Sequence, residues 1–198
     1  NNAGFGLHGV FEATPREKML EQFEVNVFGL MDVTRAVLPH MRAQHRGTIL
    51  NVTSGAGVFG VPMMALYCGS KFAIEGFTEA LSYELATVGI VVKLIEPGGV
   101  LDSQFVERST TEARQTSAIA DYQPFLTASL ETYKNLRTQR AGATSQDVAE
   151  VIFGAATDDR EQLRYVATAQ IASLVAARRE TNEGTYLATV RQAFGYKR

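Results

Sequence analysis

Three short runs of the chain are apolar and rich in β-branched residues, which is typical of β-strands. The runs 48–52 and 90–95 are almost continuously apolar, as expected of parallel strands that helices cover on both faces. The run 164–168 is shorter and predicts a third strand. Gly55 follows the first run closely and Pro97-Gly98 follows the second, so each of these strands is expected to end in a turn.

Apolar residues recur at helical spacing in segments between these runs. The predicted helices are 15–41, 66–85 and 144–157. Thr14 and Pro15 have the residue types of a helix start, and Glu17 is placed to complete a capping box with Thr14. Gly89 follows the second helix, as is typical of a helix C-terminus. The segment 102–140 has no clear period, so we expect short helices there, and the end of the chain is weakly helical.

The order of these elements predicts the fold class. Strands that alternate with helices favour an α/β fold with a parallel sheet and right-handed crossovers. The length of 198 residues fits one domain with a substantial core. Three strands are few for a sheet this apolar, because its edges and faces need further neighbours. We therefore expect residues 1–198 to form a single, incomplete domain.

Composition and charge argue against several other classes of protein. The 19 Lys and Arg residues are scattered and are balanced by 21 Asp and Glu residues, so no nucleic-acid surface is expected. No stretch approaches the ~20 apolar residues that cross a bilayer, so no membrane association is expected. The single cysteine, Cys68, fits a reducing compartment and is interpreted as a packed thiol. We expect a cytoplasmic protein.

A glycine-rich stretch near the start of the chain invites a comparison with nucleotide-binding loops. Gly4-Phe5-Gly6-Leu7-His8-Gly9 matches the pattern G-x-G-x-x-G. That pattern should follow a strand and open a helix, whereas the next helix signal comes only at position 14. We interpret the glycines as a flexible loop. His8, His40 and His45 are interpreted as structural or exposed, and no cluster of His and Cys indicates a metal site.

Ser54, Tyr67 and Lys71 are the strongest candidates for chemistry in the sequence. Ser54 follows a predicted strand, at the carboxyl edge where ligands bind in open α/β sheets. Tyr67 and Lys71 are one helical turn apart and share a face. An ammonium beside a phenol should lower the pKa of Tyr67, so that the phenol exchanges a proton with a substrate oxygen. Ser54 could polarise the same oxygen.

Each of these residues also has an ordinary structural explanation. Tyr67 and Lys71 could be two residues of an unremarkable helix, and Ser54 could cap a turn. Asn26 could be a satisfied buried amide in a helix, and Pro97-Gly98 could be a strand-ending turn. The surroundings of Ser54 do not match the G-x-S-x-G nucleophile elbow, so a serine hydrolase is not expected.

Five short motifs, taken together, resemble the short-chain dehydrogenase/reductase family. They are Asn2-Ala3-Gly4, Asn26, Ser54, Tyr67-x-x-x-Lys71 and Pro97-Gly98. The successive intervals, counted from Asn2, are 24, 28, 13 and 30 residues, which are usual for that family. The resemblance implies a Rossmann-like, doubly wound parallel sheet and an oxidoreductase that transfers a hydride between NAD or NADP and a small carbonyl or secondary alcohol substrate.

The resemblance also implies a role for each matching residue. The catalytic residues would be Asn26, Ser54, Tyr67 and Lys71. Tyr67 would be the general acid or base, Ser54 would position the substrate oxygen, and Asn26 would hold a water molecule. Lys71 would bind the nicotinamide ribose and lower the pKa of Tyr67. The residues that would contact the cofactor are Asn2, Ala3, Gly4, Tyr67, Lys71, Pro97, Gly98 and Val100.

Two features depart from the family's pattern. After Pro97-Gly98 the family often has a threonine that binds the nicotinamide carboxamide, whereas this chain has Val100-Leu101-Asp102-Ser103, where Ser103 would have to serve. The family's glycine-rich phosphate loop belongs upstream of Asn2. On the order of 80 residues, two βα units and a strand, are therefore expected to be missing. The alternative is a short non-catalytic subunit or assembly module with a relic active site.

The segment 102–140 is expected to form a substrate lid, because long polar connections after a strand often close over a site. Its apolar residues indicate a partly apolar pocket, although core packing explains them equally well: Phe105, Val106, Tyr122, Phe125, Leu126 and Leu130. The family resemblance further implies a homo-oligomer, a dimer or tetramer, that associates through the helices containing Asn26 and Tyr67.

Overall fold

The sheet consists of three parallel strands. The computed structural model describes residues 1–100, 102–105, 107–109, 119–139 and 142–196. Within them, the strands are β1 (Gly47–Val52), β2 (Ile90–Glu96) and β3 (Arg164–Val166). The strand order is β1-β2-β3, with Ile49 opposite Val92 and Ile95 opposite Tyr165. The three strands predicted from the apolar runs are confirmed.

The helices fill the connections between and after the strands. They are α1 (Arg16–Phe23), α2 (Gly29–Ala43), α3 (Ala65–Ala86), α4 (Gln123–Gln139), α5 (Ser145–Thr157), α6 (Ala169–Glu180) and α7 (Glu183–Ala193). A wide π-helical turn, Glu24–Phe28, joins α1 to α2 without a break. None of the described helices is both long and apolar enough to span a bilayer.

Helices pack on both faces of the sheet. Ile49 and Val92 face α2 and α3 and form a buried cluster with Leu81 and Leu85. Ile95 points to the opposite face and packs with Ala155 of α5. Because successive strand residues point to opposite faces, one apolar run serves both layers. The expected α/β class, a doubly wound, Rossmann-like parallel sheet, is confirmed.

The start of the first helix differs from the sequence prediction. Pro15 is the residue before α1, and no side chain caps the helix. The hydroxyl of Thr14 donates instead to the carbonyl of Val10 at 3.1 Å, because the preceding residues form a 3-10 turn that Thr14 closes. The predicted capping box with Glu17 is therefore wrong. A capping box is present at α5, where Thr144 and Asp147 bond reciprocally.

The segment 102–140 is more regular than expected. It contains the 17-residue helix α4, which packs against the end of the chain: Phe125 stacks on Tyr196 with ring centroids 5.8 Å apart, and the hydroxyls of Ser129 and Tyr196 are 2.6 Å apart. These long-range contacts stabilise a helix that the local sequence pattern does not predict. Residues 101, 106, 110–118 and 140, including Val106, lie outside the described residues, so the lid stays a prediction.

Gly89 follows the end of α3, as the sequence predicts, and its backbone packs against His45, just after α2. Its φ is +76°, and a side chain there would place its Cβ 2.4 Å from the carbonyl oxygen of His45. Only glycine combines this backbone conformation with so close an approach. The contact helps to set the position of α3, which carries the candidate catalytic residues.

Candidate active site

Ser54 and Tyr67 meet at the carboxyl end of β1. Ser54 follows the strand and begins a 3-10 turn, where its Oγ accepts a hydrogen bond from the amide of Ala56 at 3.1 Å. Its hydroxyl donates to the carbonyl of Pro97 at 3.4 Å, and Ser54 lowers the pKa of Tyr67, which lies in the first turn of α3. The two interpretations of Ser54, as a turn cap and as a partner of Tyr67, are therefore compatible.

Tyr67 is held in a nearly dry environment. Its side chain is 6% exposed and its ring packs against Phe105, with centroids 5.3 Å apart. Burial raises the pKa of Tyr67 above its ordinary value, and Ser54 lowers it only in part. The lowered pKa that the sequence predicts is therefore wrong for this arrangement, because the loss of water on burial outweighs the contribution of Ser54.

Lys71 lies one turn beyond Tyr67 and is also buried. Its Nζ is 5.8 Å from the centroid of the Tyr67 ring and donates to the carbonyl of Val52 at 2.9 Å. Burial lowers the pKa of Lys71 to about 8, and the negative charge of Glu75 raises it in part. Lys71 is thus still mostly protonated at neutral pH, and it loses its charge within the range in which enzymes work.

Asn26 acts as a clamp on the loop that precedes α1. Its Oδ1 accepts from the amide of Phe5 at 3.0 Å, and its Nδ2 donates to the carbonyl of the same residue at 2.9 Å and to Ser70 at 3.1 Å. It belongs to the wide turn between α1 and α2, and such π-helical turns are frequent at functional sites. These bonds favour the interpretation of Asn26 as a buried amide whose hydrogen-bonding groups are satisfied.

Gly4 lies between Asn26 and Lys71. A Cβ on Gly4 would be 3.1 Å from Oδ1 of Asn26 and 3.7 Å from Nζ of Lys71, so any larger residue would occupy the space beside the lysine. Asn2 and Ala3, which precede it, are exposed. The absence of a side chain at Gly4 therefore lets the backbone lie close to both Asn26 and Lys71.

Pro97 and Gly98 close the carboxyl end of β2. The carbonyl of Pro97 accepts from the amide of Gly55 at 2.9 Å, which connects this strand end to the Ser54 turn. The amide of Gly98 donates to Oγ1 of Thr168 at 2.8 Å, and a Cβ on Gly98 would lie 2.6 Å from the same atom. Val100 forms an isolated parallel bridge with Ala143.

Asp102 and Ser103 lie in the stretch that differs from the family's pattern, and both side chains bond to other parts of the chain. The carboxylate of Asp102 accepts from the amide of Ser145 at 2.7 Å and from its hydroxyl at 2.9 Å, and these bonds hold the pKa of Asp102 below its usual value. Asp102 therefore stabilises the start of α5. The hydroxyl of Ser103 donates to the carbonyl of Val100 at 3.2 Å, so its only proton is already used.

Several residues of the site are not evident from the sequence. Oε1 of Glu75 accepts from the hydroxyl of Thr53 at 2.6 Å, and Oε2 accepts from Nε of Arg164 at 2.9 Å. The spacing of Tyr67, Lys71 and Glu75, four residues each, is a signal that could have found Glu75. Phe105 is among the apolar residues that the sequence associates with a pocket, but its contact with the Tyr67 ring arises only through folding of the chain.

The glycine-rich loop and the cysteine behave as ordinary structural elements. After Gly9 the chain forms a short 3-10 turn and not a helix. A Cβ on Gly6 would lie 2.6 Å from Phe105 and from Ser109, so this glycine allows close packing over the site. Cys68 is buried, and burial raises the pKa of its thiol, which disfavours the thiolate form of a nucleophile.

Sequence relatives match most of the chain. The chain is 37% identical over 197 residues to an uncharacterized oxidoreductase of Schizosaccharomyces pombe, covering 98% of this chain and 80% of the relative. It is 36% identical over 185 residues to retinol dehydrogenase 8 of Bos taurus, covering 89% and 57%. It is 32% identical over 199 residues to human 17-beta-hydroxysteroid dehydrogenase type 1, covering 98% and 60%.

Solved structures share the fold. A short-chain dehydrogenase from Streptomyces avermitilis superposes with a TM-score of 0.74 at 24% identity, covering 96% of this chain and 64% of that protein. A short-chain dehydrogenase/reductase from Burkholderia phymatum in complex with NAD has a TM-score of 0.70 at 29% identity, covering 90% and 63%. This chain therefore spans less than two thirds of either solved protein.

The family profile agrees with both comparisons. The profile of the short chain dehydrogenase family matches residues 1–114, which include the clamp, the Ser54 turn, the first turns of α3 and the end of β2. More than half of the chain is matched, by the same segments whose geometry is described above. By sequence and by fold, this protein belongs to the short-chain dehydrogenase family.

Proposed function

We propose that this chain carries the catalytic residues of an NAD(P)-dependent oxidoreductase that interconverts a carbonyl and a secondary alcohol. The observation that supports this most directly is that Ser54, at the carboxyl end of β1, lies close enough to Tyr67 to lower its pKa, with the Lys71 ammonium buried one turn away. Two hydroxyls of this kind can bind one substrate oxygen, and the buried cation adds a favourable potential.

Tyr67 would transfer the proton. Because burial raises its pKa, the phenol is protonated at neutral pH, which is the form that donates a proton to a carbonyl oxygen. The free chain is thus prepared for carbonyl reduction, and alcohol oxidation would require a better hydrated or more strongly paired Tyr67. Ser54 would hold the substrate oxygen, and Lys71 would stabilise negative charge on the phenol oxygen.

Family membership and the solved relatives with bound NAD or NADP support one of these two cofactors. When bound, the nicotinamide supplies or accepts the hydride. Gly4 and Lys71 would border its ribose, since a residue without a side chain brings the backbone at position 4 close to Lys71. Further contacts are proposed at Asn2, Ala3, Pro97, Gly98 and Val100, and no metal ion is required.

Replacement of the phenol tests this function. Tyr67→Phe should lower the rate of ketone reduction with NADH or NADPH by roughly 10²–10⁴-fold, because it removes the proton donor. Tyr83→Phe, on the exposed side of the same helix, is the matched control and should keep full activity. The measurement is turnover followed at the nicotinamide absorbance, with thermal unfolding to verify that both variants fold. Undiminished turnover by Tyr67→Phe would exclude the proposed role.

A cofactor titration distinguishes the two classes of function. An oxidoreductase should bind NADH or NADPH, and the binding should weaken when Gly4→Leu fills the space beside Lys71. If neither dinucleotide binds the protein, a non-catalytic subunit with a relic site becomes the better explanation.

A further inference from the structure

An apolar pocket of about 520 Å³ lies beside the amino end of α3. Its apolar lining consists of Val10, Phe11, Met63, Ala65, Tyr122 and Phe125. The volume is within the range of roughly 300–1,000 Å³ that is typical of small-molecule sites. The ring of Phe11 is 57% exposed, although rings of this size are usually buried when nothing needs to contact them.

Three distant segments of the chain form the walls of the pocket and are bonded to one another. The amide of Gly9 donates to the carbonyl of Met63 at 2.8 Å, which connects the first wall to the second. The hydroxyl of Tyr122 donates to the carboxylate of Glu12 at 2.9 Å, which connects the first wall to the start of α4. The pocket therefore forms only when the chain folds. One of its walls is the start of α3, the helix that also carries Tyr67.

The pocket adjoins the proposed proton donor. Met63 and Ala65 are in its lining, and Met64, which lies between these two residues in the chain, belongs to the same buried cluster as Tyr67. Phe105 packs against that cluster as well. Met64 thus connects the proposed proton donor to the pocket, because it packs with Tyr67 and is flanked by two lining residues.

The charges of the lining restrict what can bind. Among the described residues that line the pocket, Glu12 is acidic and none is basic. The Glu12 carboxylate accepts the hydroxyl of Tyr122, so the principal polar groups of the rim satisfy each other. An uncharged apolar group loses little on entry, whereas a carboxylate or phosphate would lose its hydration without gaining a cation.

We propose that this pocket binds the apolar body of the substrate, so that the enzyme acts on neutral, extended hydrophobic ketones or secondary alcohols and disfavours acidic ones. This inference rests on the proposed function for its link to turnover. Each methylene that enters the pocket should strengthen binding about fourfold, until the pocket is filled.

A chain-length series measures this directly. We expect both the affinity, by calorimetric titration, and kcat/KM to rise from 2-butanol to 2-octanol by on the order of 200-fold over four methylenes. Octanoate should compete at least tenfold more weakly than 2-octanol. Equal affinity along the series, or octanoate that binds as well as 2-octanol, would overturn the proposal.

Matched variants locate the effect. Phe11→Asp places a charge in the pocket and should flatten the chain-length dependence, whereas Phe153→Asp, an exposed ring outside the lining, should retain it. If affinity increased equally with alcohol chain length in both variants, the assignment to this pocket would be overturned. Graded binding without any turnover would instead contradict the oxidoreductase function and leave the pocket supported, and turnover without chain-length dependence would do the reverse.

Discussion

Burial favours the neutral forms of both Tyr67 and Lys71, although the two side chains are one helical turn apart. The phenol has a raised pKa and the ammonium a lowered one, so the pair does not behave as a strongly charged couple in the free chain. Proton donation from Tyr67 is accordingly easier than proton removal. Any increase in the hydration of the site would bring both pKa values back toward their ordinary range.

The lowered pKa of Lys71 predicts a pH-dependent stability. Its folded-state pKa of about 8 is below the ordinary value of 10.5, so the unfolded chain binds more protons at this site between pH 8 and 10, and stability rises with pH there. Lys71→Met should remove this rise and increase the free energy of unfolding at pH 7 by about 2 kcal/mol. Urea unfolding from pH 7 to 10 measures both effects.

An exposed cation provides the control for this experiment. Arg46→Met, at an exposed position, should change the free energy of unfolding by less than about 0.5 kcal/mol and should leave the pH dependence intact. A Lys71→Met variant that is less stable than the parent at pH 7 would contradict the idea that burial of this ammonium is unfavourable.

At the scale of elements, helix α3 connects the site to the rest of the sheet through Glu75. The carboxylate is buried and bonds to Thr53 beside the Ser54 turn and to Arg164 of β3. Glu75 is also the charge that raises the pKa of Lys71. Glu75 thus links the end of β1 to the start of β3, and it also raises the pKa of Lys71.

Glu75→Gln is expected to be destabilising, because it leaves buried hydrogen-bonding groups imperfectly paired. The expected loss is about 1–3 kcal/mol in the free energy of unfolding, and the pKa of Lys71 should fall further. Glu84→Gln, on the exposed side of the same helix, should have little effect. Denaturant unfolding compares the two variants, and equal stabilities would contradict a structural role for Glu75.

A second buried charge pair predicts acid sensitivity. Lys93 of β2 is buried, and its Nζ donates to Asp158 at 2.5 Å, which holds the pKa of that carboxyl below its usual range. Because the folded-state pKa is depressed, the stabilisation is present above about pH 4 and is lost as the pH falls further. Asp158→Asn should lower Tm at pH 7, and the difference from the parent should shrink toward pH 2. A constant difference across that range would contradict this pairing.

At the scale of the whole molecule, the parallel sheet brings every part of the proposed site to one edge. The Ser54 turn follows β1 and Pro97-Gly98 follows β2, while α3 delivers Tyr67 and Lys71 to the same edge. The opposite side of α3 exposes Phe72 and Tyr83, which lie on one face of the helix. An exposed apolar face beside a site is typical of a surface that binds another subunit.

The expected homo-oligomer can be tested at that face. Tyr83→Asp should dissociate it, because the ring is 71% exposed in the single chain and a charge would be costly in an apolar contact. Light scattering should report a lower molar mass for this variant. Phe153→Asp, on α5 at the other face of the sheet, should leave the mass unchanged, and the reverse result would place the interface there.

The sequence alone determined the local features of this protein. Apolar runs and helical spacing predicted the three strands and α3 closely, because local periodicity reflects which faces are buried. The positions of Tyr67 and Lys71 on one helical face, and of Ser54 after a strand, follow from covalent spacing alone. The family resemblance rests on the same short motifs, so it follows from the sequence without the fold.

The tertiary structure decided what depends on contacts between distant residues. The direction of the Tyr67 pKa shift, the clamp of Asn26 on Phe5, the length of α4 and the pocket beside α3 all arise from segments that are remote in sequence. Removal of water from a side chain requires groups from several elements at once. No local pattern contains that information, so the sequence could identify the candidate groups and only the fold could determine their protonation and surroundings.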